Sequence, residues 1–390
     1  MSHPDVLVVG AGITGAVAAY HMAQAGAQVH VVDRYGPAAM ASGWTLAGVR
    51  QSGRDPAELP LARAAVALWP ELEDRLGAPT HYRQQGNVRL ARTPGEVAVI
   101  RRLVETQSAA GLDLTFLPTL SDVRQVAPAV SDAVLAASYC PTDGHADPNA
   151  TVAAFLNAAA RHGATLDTGE AVAQIVVEAG AAKGVITNKR TLAAGRVVLA
   201  AGVCVNTILE RSGLGPIPIT TPLVTVVRTA PVAPVLKPVI GVANADLAVR
   251  QEMSGAIRFT SGTRPHDGAF DEVEGKPVVR PAAERIAATI NGVAHVLPAI
   301  NQAPVAAFWG GLLDMTPDAL PVIDTVSGVD GLVVAAGFSG HGFGIGPITG
   351  EIAADLALGR APRFDTAPFR YRRFSEQPKA VAPAAATLHG

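Results

Sequence analysis

Cysteine is nearly missing from this 390-residue sequence: Cys140 and Cys204 are the two present, and they lie far apart. That excludes a disulfide framework and a closely spaced redox or metal-binding pair. Aromatic residues are scarce at 5%, and charged residues reach only 16%, with 31 Lys and Arg against 33 Asp and Glu. No basic stripe stands out, which argues against a nucleic-acid partner. No apolar run is long enough to span a bilayer, and no charged-then-apolar leader precedes the strand-like run at Val6. The expectation is a soluble, cytoplasmic chain with no membrane span. What is plentiful is small or apolar: 49% hydrophobic residues, 39 glycines and 29 prolines. That suffices for large cores with closely packed backbone, and the length suits two or three domains.

Three segments echo one another: VVGAG (8–12), VVLAAG (197–202) and VVAAG (333–337). Short uninterrupted apolar runs of this kind suit strands buried on both faces of a parallel sheet. They are too widely spaced for a repeat protein, so the expectation is one sheet with other material inserted. The first unit is the clearest. Strand VLVV (6–9) meets a glycine turn, a helix from Ile13 to Ala25 stops at Gly26, and strand VHVV (29–32) ends at Asp33, a complete βαβ unit. A second helix is expected over 147–163, with Asp147 as N-cap, Pro148 at the first position and Gly163 at the end. Strands QIVV (174–177) and GVIT (184–187) flank a turn at Ala179–Gly180, and a last helix is expected to start near Pro347 and stop at Gly359.

The fold class expected is α/β (α+β overall). A dinucleotide-binding domain is drawn from 1–79, 141–214 and 310–365. A substrate domain on a mainly antiparallel sheet is drawn from 80–140 and 215–309. Its sign is hairpin alternation such as AVRQEMSGAIRFTS (248–261) around Ser254–Gly255. Residues 376–390 read as a disordered tail.

GAGITG (10–15) is G-x-G-x-x-G after a strand and before a helix, with the acid Asp33 closing the next strand. Gly10 permits the tight turn, Gly12 lets a pyrophosphate approach and Gly15 lets helix and strand pack. The helix N-terminus receives the phosphates, and Asp33 can bind a ribose diol. The motif itself fits NAD or FAD. The loop RYGPAAMASGWTLAGVRQSGR (34–54) interrupts the sheet where an NAD enzyme usually continues with βα units, which favours the larger flavin nucleotide.

The segments 8–34, ASGWTLAGVR (41–50), DGHADP (143–148), VVLAAG, WGGLLDMTPDALPVID (309–324) and AAGFSGHGFGIGP (335–347) resemble the D-amino-acid oxidase superfamily. Within it the chain is most similar to glycine oxidase, sarcosine oxidase β-subunit and dimethylglycine dehydrogenase-type flavoproteins. The resemblance implies a glutathione-reductase-like FAD domain with a substrate domain roofing the flavin. It also implies oxidation of a C–N bond by hydride transfer to flavin N5, followed by hydrolysis of the imine. For the cofactor it implies Gly10, Gly12, Ile13, Thr14 and Gly15 at the phosphates and Asp33 and Arg34 at the adenosine. Ala41, Ser42, Leu46 and Gly48 would wrap pyrophosphate and flavin, Val172 would meet adenine, and Ala200 and Gly202 would lie beside the pyrophosphate or ribityl chain. Gly337, Gly340, His341, Gly342, Phe343 and Gly344 would line the N1–C2=O edge of the flavin, where charge develops. Relatives that bind flavin covalently use a cysteine near Gly311 or a histidine near Thr45; neither nucleophile stands here, so FAD is expected to be non-covalent.

For substrate, an arginine fork suits a carboxylate, and the resemblance brings Arg50 near the flavin. Arg250, Gln251 and Arg258 sit on the roof hairpin; alternation puts Arg250 and Gln251 on opposite faces, and Gln251 is the one expected to face the flavin. His341 is either catalytic or a space-filler beside the ring. The partners expected are a small amine or amino acid (an N-alkyl glycine, proline derivative, opine or D-amino acid) and oxygen, a quinone or a partner subunit as electron acceptor, with an oligomer possible. The cluster Cys140, Asp143, His145 and Asp147 matches no closed zinc pattern, so no metal is expected. An NAD(P)H-dependent flavin hydroxylase and a non-catalytic FAD-binding subunit are the competing readings.

Overall fold

The computed structural model describes residues 3–376. The expected tail over 376–390 falls, apart from Glu376, outside the described residues. The three glycine-ended runs lie side by side. Val6–Val9 pairs with Val29–Asp33 on one side and Arg196–Leu199 on the other; Thr165–Thr168 lies beyond the first, Leu332–Ala336 and then Val322–Thr325 beyond the second. Every pair is parallel except the last, which is antiparallel at the edge. Both faces are covered, which explains why these strands are apolar throughout. Val6, Val8, Val31, Val198 and Val333 pack beneath helices Ile13–Gln24, Pro148–Arg161 and Gly342–Leu358. Leu7, Val9, Val197, Leu199 and Val334 pack on the other side, with the three-stranded sheet Val172–Glu178, Ala181–Thr187, Thr191–Ala193 and helix Val205–Arg211.

A second sheet of eight strands runs Val305–Leu312, Leu223–Pro231, Ala256–Ser261, Leu247–Gln251, Val239–Val242, Asn87–Ala91, Ala136–Cys140, Thr115–Leu117. It is antiparallel except where Val239–Val242 lies parallel to Asn87–Ala91. One face is apolar: Val88, Leu90, Val227, Ile240, Val249, Ile257 and Phe259 pack under Val293 and Val296 of helix Ala283–Val296. The other face carries Asn87, Arg89, Ser138, Arg250 and Arg258, all buried. It meets the first unit: Arg258 Nη1 donates to the Thr45 carbonyl at 2.8 Å, Arg250 Nη1 to that of Ala146 at 2.9 Å, and Trp309 Nε1 to that of Trp44 at 3.3 Å.

Two expectations need correction. The last helix begins at Gly342, not near Pro347, and carries Pro347 inside it. Proline is tolerated there at the loss of one intrahelical bond. Gln251 belongs to the apolar face. Its Oε1 accepts from the N–H groups of Val235 and Leu236, and its Nε2 donates to the carbonyls of Ala233 and Gly255. Alternation therefore turns Arg250, not Gln251, toward the first unit.

Candidate active site between the two sheets

The turn after the first strand has three glycines with different reasons to be glycine. Gly10 has φ +109°, and a Cβ there would stand 2.3 Å from the Ala200 carbonyl oxygen. A Cβ on Gly15 would stand 2.0 Å from the Gly10 carbonyl oxygen. At Gly12 nothing in the protein comes closer than Ser42 Oγ at 3.1 Å, so what excludes a side chain there is not backbone packing. This is the cradle a pyrophosphate needs, at the N-terminus of helix Ile13–Gln24, whose first turn holds no acid. Ser42 Oγ also accepts from the Ile13 N–H at 3.0 Å, tying the loop over 41–48 to the turn. Asp33 accepts from the N–H groups of Ala11, Tyr35 and Gly36 at 2.7, 2.8 and 2.6 Å. A carboxylate has about four acceptor positions, which leaves capacity for a ribose hydroxyl. Arg34 is exposed, stacked 5.1 Å over Tyr35 and 5.8 Å over Phe270. Gly202, at φ +51°, has nothing within 4 Å of a would-be Cβ, and neither has Gly48. Val172 follows closely on Glu170, whose N–H donates to the Asp33 carbonyl at 3.1 Å. The residues present fit FAD.

The late glycine loop is held from below by Asp314, which the sequence reading did not single out. Its Oδ2 accepts from the Gly337 N–H at 2.8 Å, and its carbonyl from the Ser339 N–H at 2.9 Å. Burial pushes its carboxyl up to about 6. Gly337 and Gly340 have φ +70° and +83°. Gly342 and Gly344 are glycine for packing inside the chain: a Cβ would stand 2.9 Å from the Phe338 side chain in the first case and 2.7 Å from the Gly48 carbonyl oxygen in the second. The Phe343 ring turns inward to Trp69, centroids 5.3 Å apart, so the face it offers the loop is main chain.

His341 is buried and its Nδ1 lies 3.1 Å from Oε2 of the fully buried Glu58. Burial and the Arg54 guanidinium hold the ring down at about 3. The pair is therefore a neutral histidine donating Nδ1–H to an ionised carboxylate; Glu58, opposed by burial but favoured by His341, Arg54 and Arg50, sits at about 2. Arg50, placed next to Val49, is buried; its Nη1 donates to the Ser52 carbonyl at 2.5 Å. Asp143 is fully buried and accepts from the Gln51 N–H at 2.9 Å and Ser52 Oγ at 2.5 Å. Burial pushes its carboxyl up, while those donors require it as carboxylate.

His145, two residues on, is buried too. Its Nδ1 lies 2.8 Å from Arg250 Nη1 and its Nε2 3.3 Å from Gln85 Oε1. Arginine only donates, so Nδ1 is the acceptor and the proton sits on Nε2. Burial and the charges of Arg250 and Arg83 hold this ring near 3. Thus Asp143 and His145 have structural partners of their own, and Asp147 caps helix Pro148–Arg161 by accepting from the Ala150 N–H at 2.8 Å. Among the described residues no group of three or more His, Cys, Asp or Glu could hold a metal ion. Glu58, Arg54 and Arg89 escaped the sequence reading, and His145 was weighed there only as a metal ligand, because their partners come from distant parts of the chain. The one available signal was a polar residue at a strand position, as in NVRLA (87–91).

Comparison with known proteins now has a site to attach to. The family model for FAD dependent oxidoreductases (DAO) matches residues 5–356. Glycine oxidase of Geobacillus kaustophilus is 29% identical over 378 residues, covering 95% of this chain and 97% of that protein. Its crystal structure superposes with a TM-score of 0.86 at 26% identity over 96% of this chain and 99% of that one. L-proline dehydrogenase from P. horikoshii gives a TM-score of 0.87 at 26% identity, covering 96% and 98%. 4-Methylaminobutanoate oxidase (formaldehyde-forming) of Paenarthrobacter nicotinovorans is 26% identical over 96% of this chain, which spans 46% of that longer protein.

Proposed function

This chain belongs to the FAD dependent oxidoreductase family, and from that premise we propose that it oxidises the C–N bond of a small amine or amino acid bearing a carboxylate. When bound, FAD would supply the oxidant, a hydride acceptor for the carbon next to nitrogen; the imine so formed would be hydrolysed by water. The cofactor residues proposed are those of the phosphate turn, Asp33, the loop over 41–48, Val172, Ala200, Gly202 and the loop over 337–344, with no covalent link to the protein.

One observation carries the substrate reading: a sheet face with buried Arg89, Arg250 and Arg258 turned toward the loop over 43–54, where Arg50 and Arg54 are also buried. Arginine stays charged in proteins. Cationic walls attract a carboxylate and disfavour the ammonium form of the bound amine. They thereby favour the neutral amine that can give up a hydride, with no general base required. Arg50 and Arg250 are the proposed carboxylate ligands. His341, its proton fixed on Nδ1 by Glu58, holds the start of the last helix at the loop. The names of the relatives, which act on glycine, proline or a methylamine, support the same class of substrate.

The test is anaerobic mixing of the yellow holoenzyme with glycine, sarcosine, D-amino acids, proline derivatives and opine-type secondary amines. Loss of the flavin's visible absorbance with one of them is the expected result. Reoxidation in air, against reoxidation only by a dye or quinone, then separates oxidase from dehydrogenase. Bleaching by NADPH and by no amine would make it a hydroxylase; colour that survives every reductant of both kinds would make it a non-catalytic subunit.

A further inference from the structure

Buried guanidinium groups gather at two separate places between the two sheets. At one end Arg50, Arg54 and Arg89 face Glu58 and Asp143. At the other Arg228, Arg250 and Arg258 face Glu252 and Asp147. At this second end three guanidinium groups face two carboxylates. The histidines add nothing, since His145 accepts from Arg250 and His341 is neutral beside Glu58. Glu252 is already shared by Arg228 at 2.7 Å and Arg258 at 2.7 Å, which leaves Arg250 as the odd cation of its end.

Arg250 is also built to receive an anion. Its Nη1 is taken by His145 Nδ1 and the Ala146 carbonyl. Its Nε is buried with no hydrogen-bond partner, and its guanidinium's hydrogen bonds to described residues both run from Nη1, leaving Nη2 without an acceptor among them. Nε and Nη2 form the fork edge that binds a carboxylate through two bonds. At the other end Arg54 Nη1 is likewise buried without a partner. On the roof the two ends are joined by small residues: Arg89 pairs with Gly241, and Gly241 with Ala248, all on the polar face. On the floor Asp143 and His145 are separated by Gly144 alone. From Arg89 to Arg250 the roof runs two strand spacings across and two residues along, roughly 12 Å between backbones, and the two residues on the floor span roughly 7 Å.

Resting on the amine-oxidation reading above, we propose that the substrate is a secondary amine carrying two carboxylates, one on the Nε–Nη2 edge of Arg250 and the other on the Arg50–Arg54–Arg89 group. Iminodiacetate is the smallest member of that class; N-carboxyalkyl amino acids are larger ones. His145 is then a positioning residue: as an acceptor it fixes the guanidinium plane of Arg250.

The test uses thioethers, in which sulfur replaces the nitrogen so that binding is read without turnover. The visible flavin spectrum of the holoenzyme is titrated with thiodiacetate and with methylthioacetate. The diacid is expected to bind at least ~10-fold more tightly than the monoacid, about one guanidinium–carboxylate contact. In Arg250→Met that ratio is expected to collapse toward one, and in Arg250→Lys to lie between. Retention of bound flavin reports that each variant is folded. Equal affinity for the two thioethers in the wild-type enzyme, or a ratio that survives Arg250→Met, overturns the proposal. Either outcome leaves amine oxidation intact, because a monocarboxylate amine can still bleach the flavin. Conversely, tight thiodiacetate binding with no bleaching by any amine supports the diacid site and removes the reaction.

Discussion

At His145 the position of one proton sets both an interaction and a pH dependence. Folded, the ring is held near 3 by burial and by the Arg250 and Arg83 guanidinium groups; unfolded, it titrates near 6.5. Between those values the unfolded chain binds the extra proton, so this residue makes stability fall as pH drops below 6.5, and the fall continues toward 3. One proton corresponds to ~1.4 kcal/mol per pH unit, or about 2 kcal/mol between pH 6.5 and 5. His341, also held near 3, adds in the same direction. His145→Gln keeps an acceptor for Arg250 and cannot titrate. Urea melts of the holoenzyme at pH 7 and pH 5 are expected to show a smaller loss for this variant than for wild type, by about 2 kcal/mol. Equal losses in the two proteins would mean that the folded ring titrates at its ordinary value.

At the scale of elements, what was legible in the sequence followed from local rules. The βαβ unit, the Asp147 cap and the Ala179–Gly180 turn are each fixed by neighbours along the chain, and each is found where expected, with Ala179 and Gly180 at φ +48° and +76°. Alternation correctly parted Arg250 from Gln251 but could not say which face was which. That is decided by helix Ala283–Val296, whose Val293 and Val296 cover the side of Val249 and Ile257. Helix Pro94–Ala109 was not recognised within 80–140, because it buries only Ile100 and Gln107 and shows little apolar stripe. Pro347 reads in sequence as a first-turn residue, which puts the expected start of the last helix five residues beyond the actual one at Gly342. Two of its glycines have a role that sequence does not reveal. A Cβ on Gly346 would stand 2.4 Å from Ile13 Cγ1, and one on Gly350 2.4 Å from Val17 Cβ, so they let this helix lie against the one that opens the phosphate turn. Gly350→Ala is therefore expected to cost ~1–3 kcal/mol by overpacking and to weaken FAD binding as well, since Thr14 backs the same contact. Gly359→Ala, at φ +72° in open space, is expected to cost only ~1–2 kcal/mol of backbone strain and to leave FAD affinity alone. Equilibrium unfolding with flavin titration separates the two; equal FAD affinity in both variants would uncouple the helix contact from the phosphate turn.

Across the whole molecule, the site arises from two sheets whose facing residues come from sequence positions as far apart as Arg50 and Arg258. That is why the cofactor turn was readable and the charged layer was not: the turn is one hexapeptide, the layer a product of tertiary folding. Buried groups in the layer, among them Tyr82 Oη, Asn87 Oδ1 and Arg250 Nε, have no hydrogen-bond partner in the protein, a costly state that ligands and water relieve. Cofactor binding is thus expected to couple to global stability. The mode of attachment follows from the nucleophiles at hand. Thr45 Oγ1 accepts from the Ala47 N–H at 3.0 Å, and Gly311 offers no side chain. Burial pushes the Cys140 thiol up to about 12 and that of Cys204 upward, so neither is a thiolate near neutral pH. Acid precipitation of the yellow protein should then leave the colour in the supernatant and a white pellet. The stripped protein should melt at a lower temperature and recover on adding FAD, by about 4 kcal/mol at a thousand-fold excess over Kd. A yellow pellet would reveal a covalent link from some other residue, and a melting point indifferent to FAD would place the flavin away from the layer that joins the two sheets.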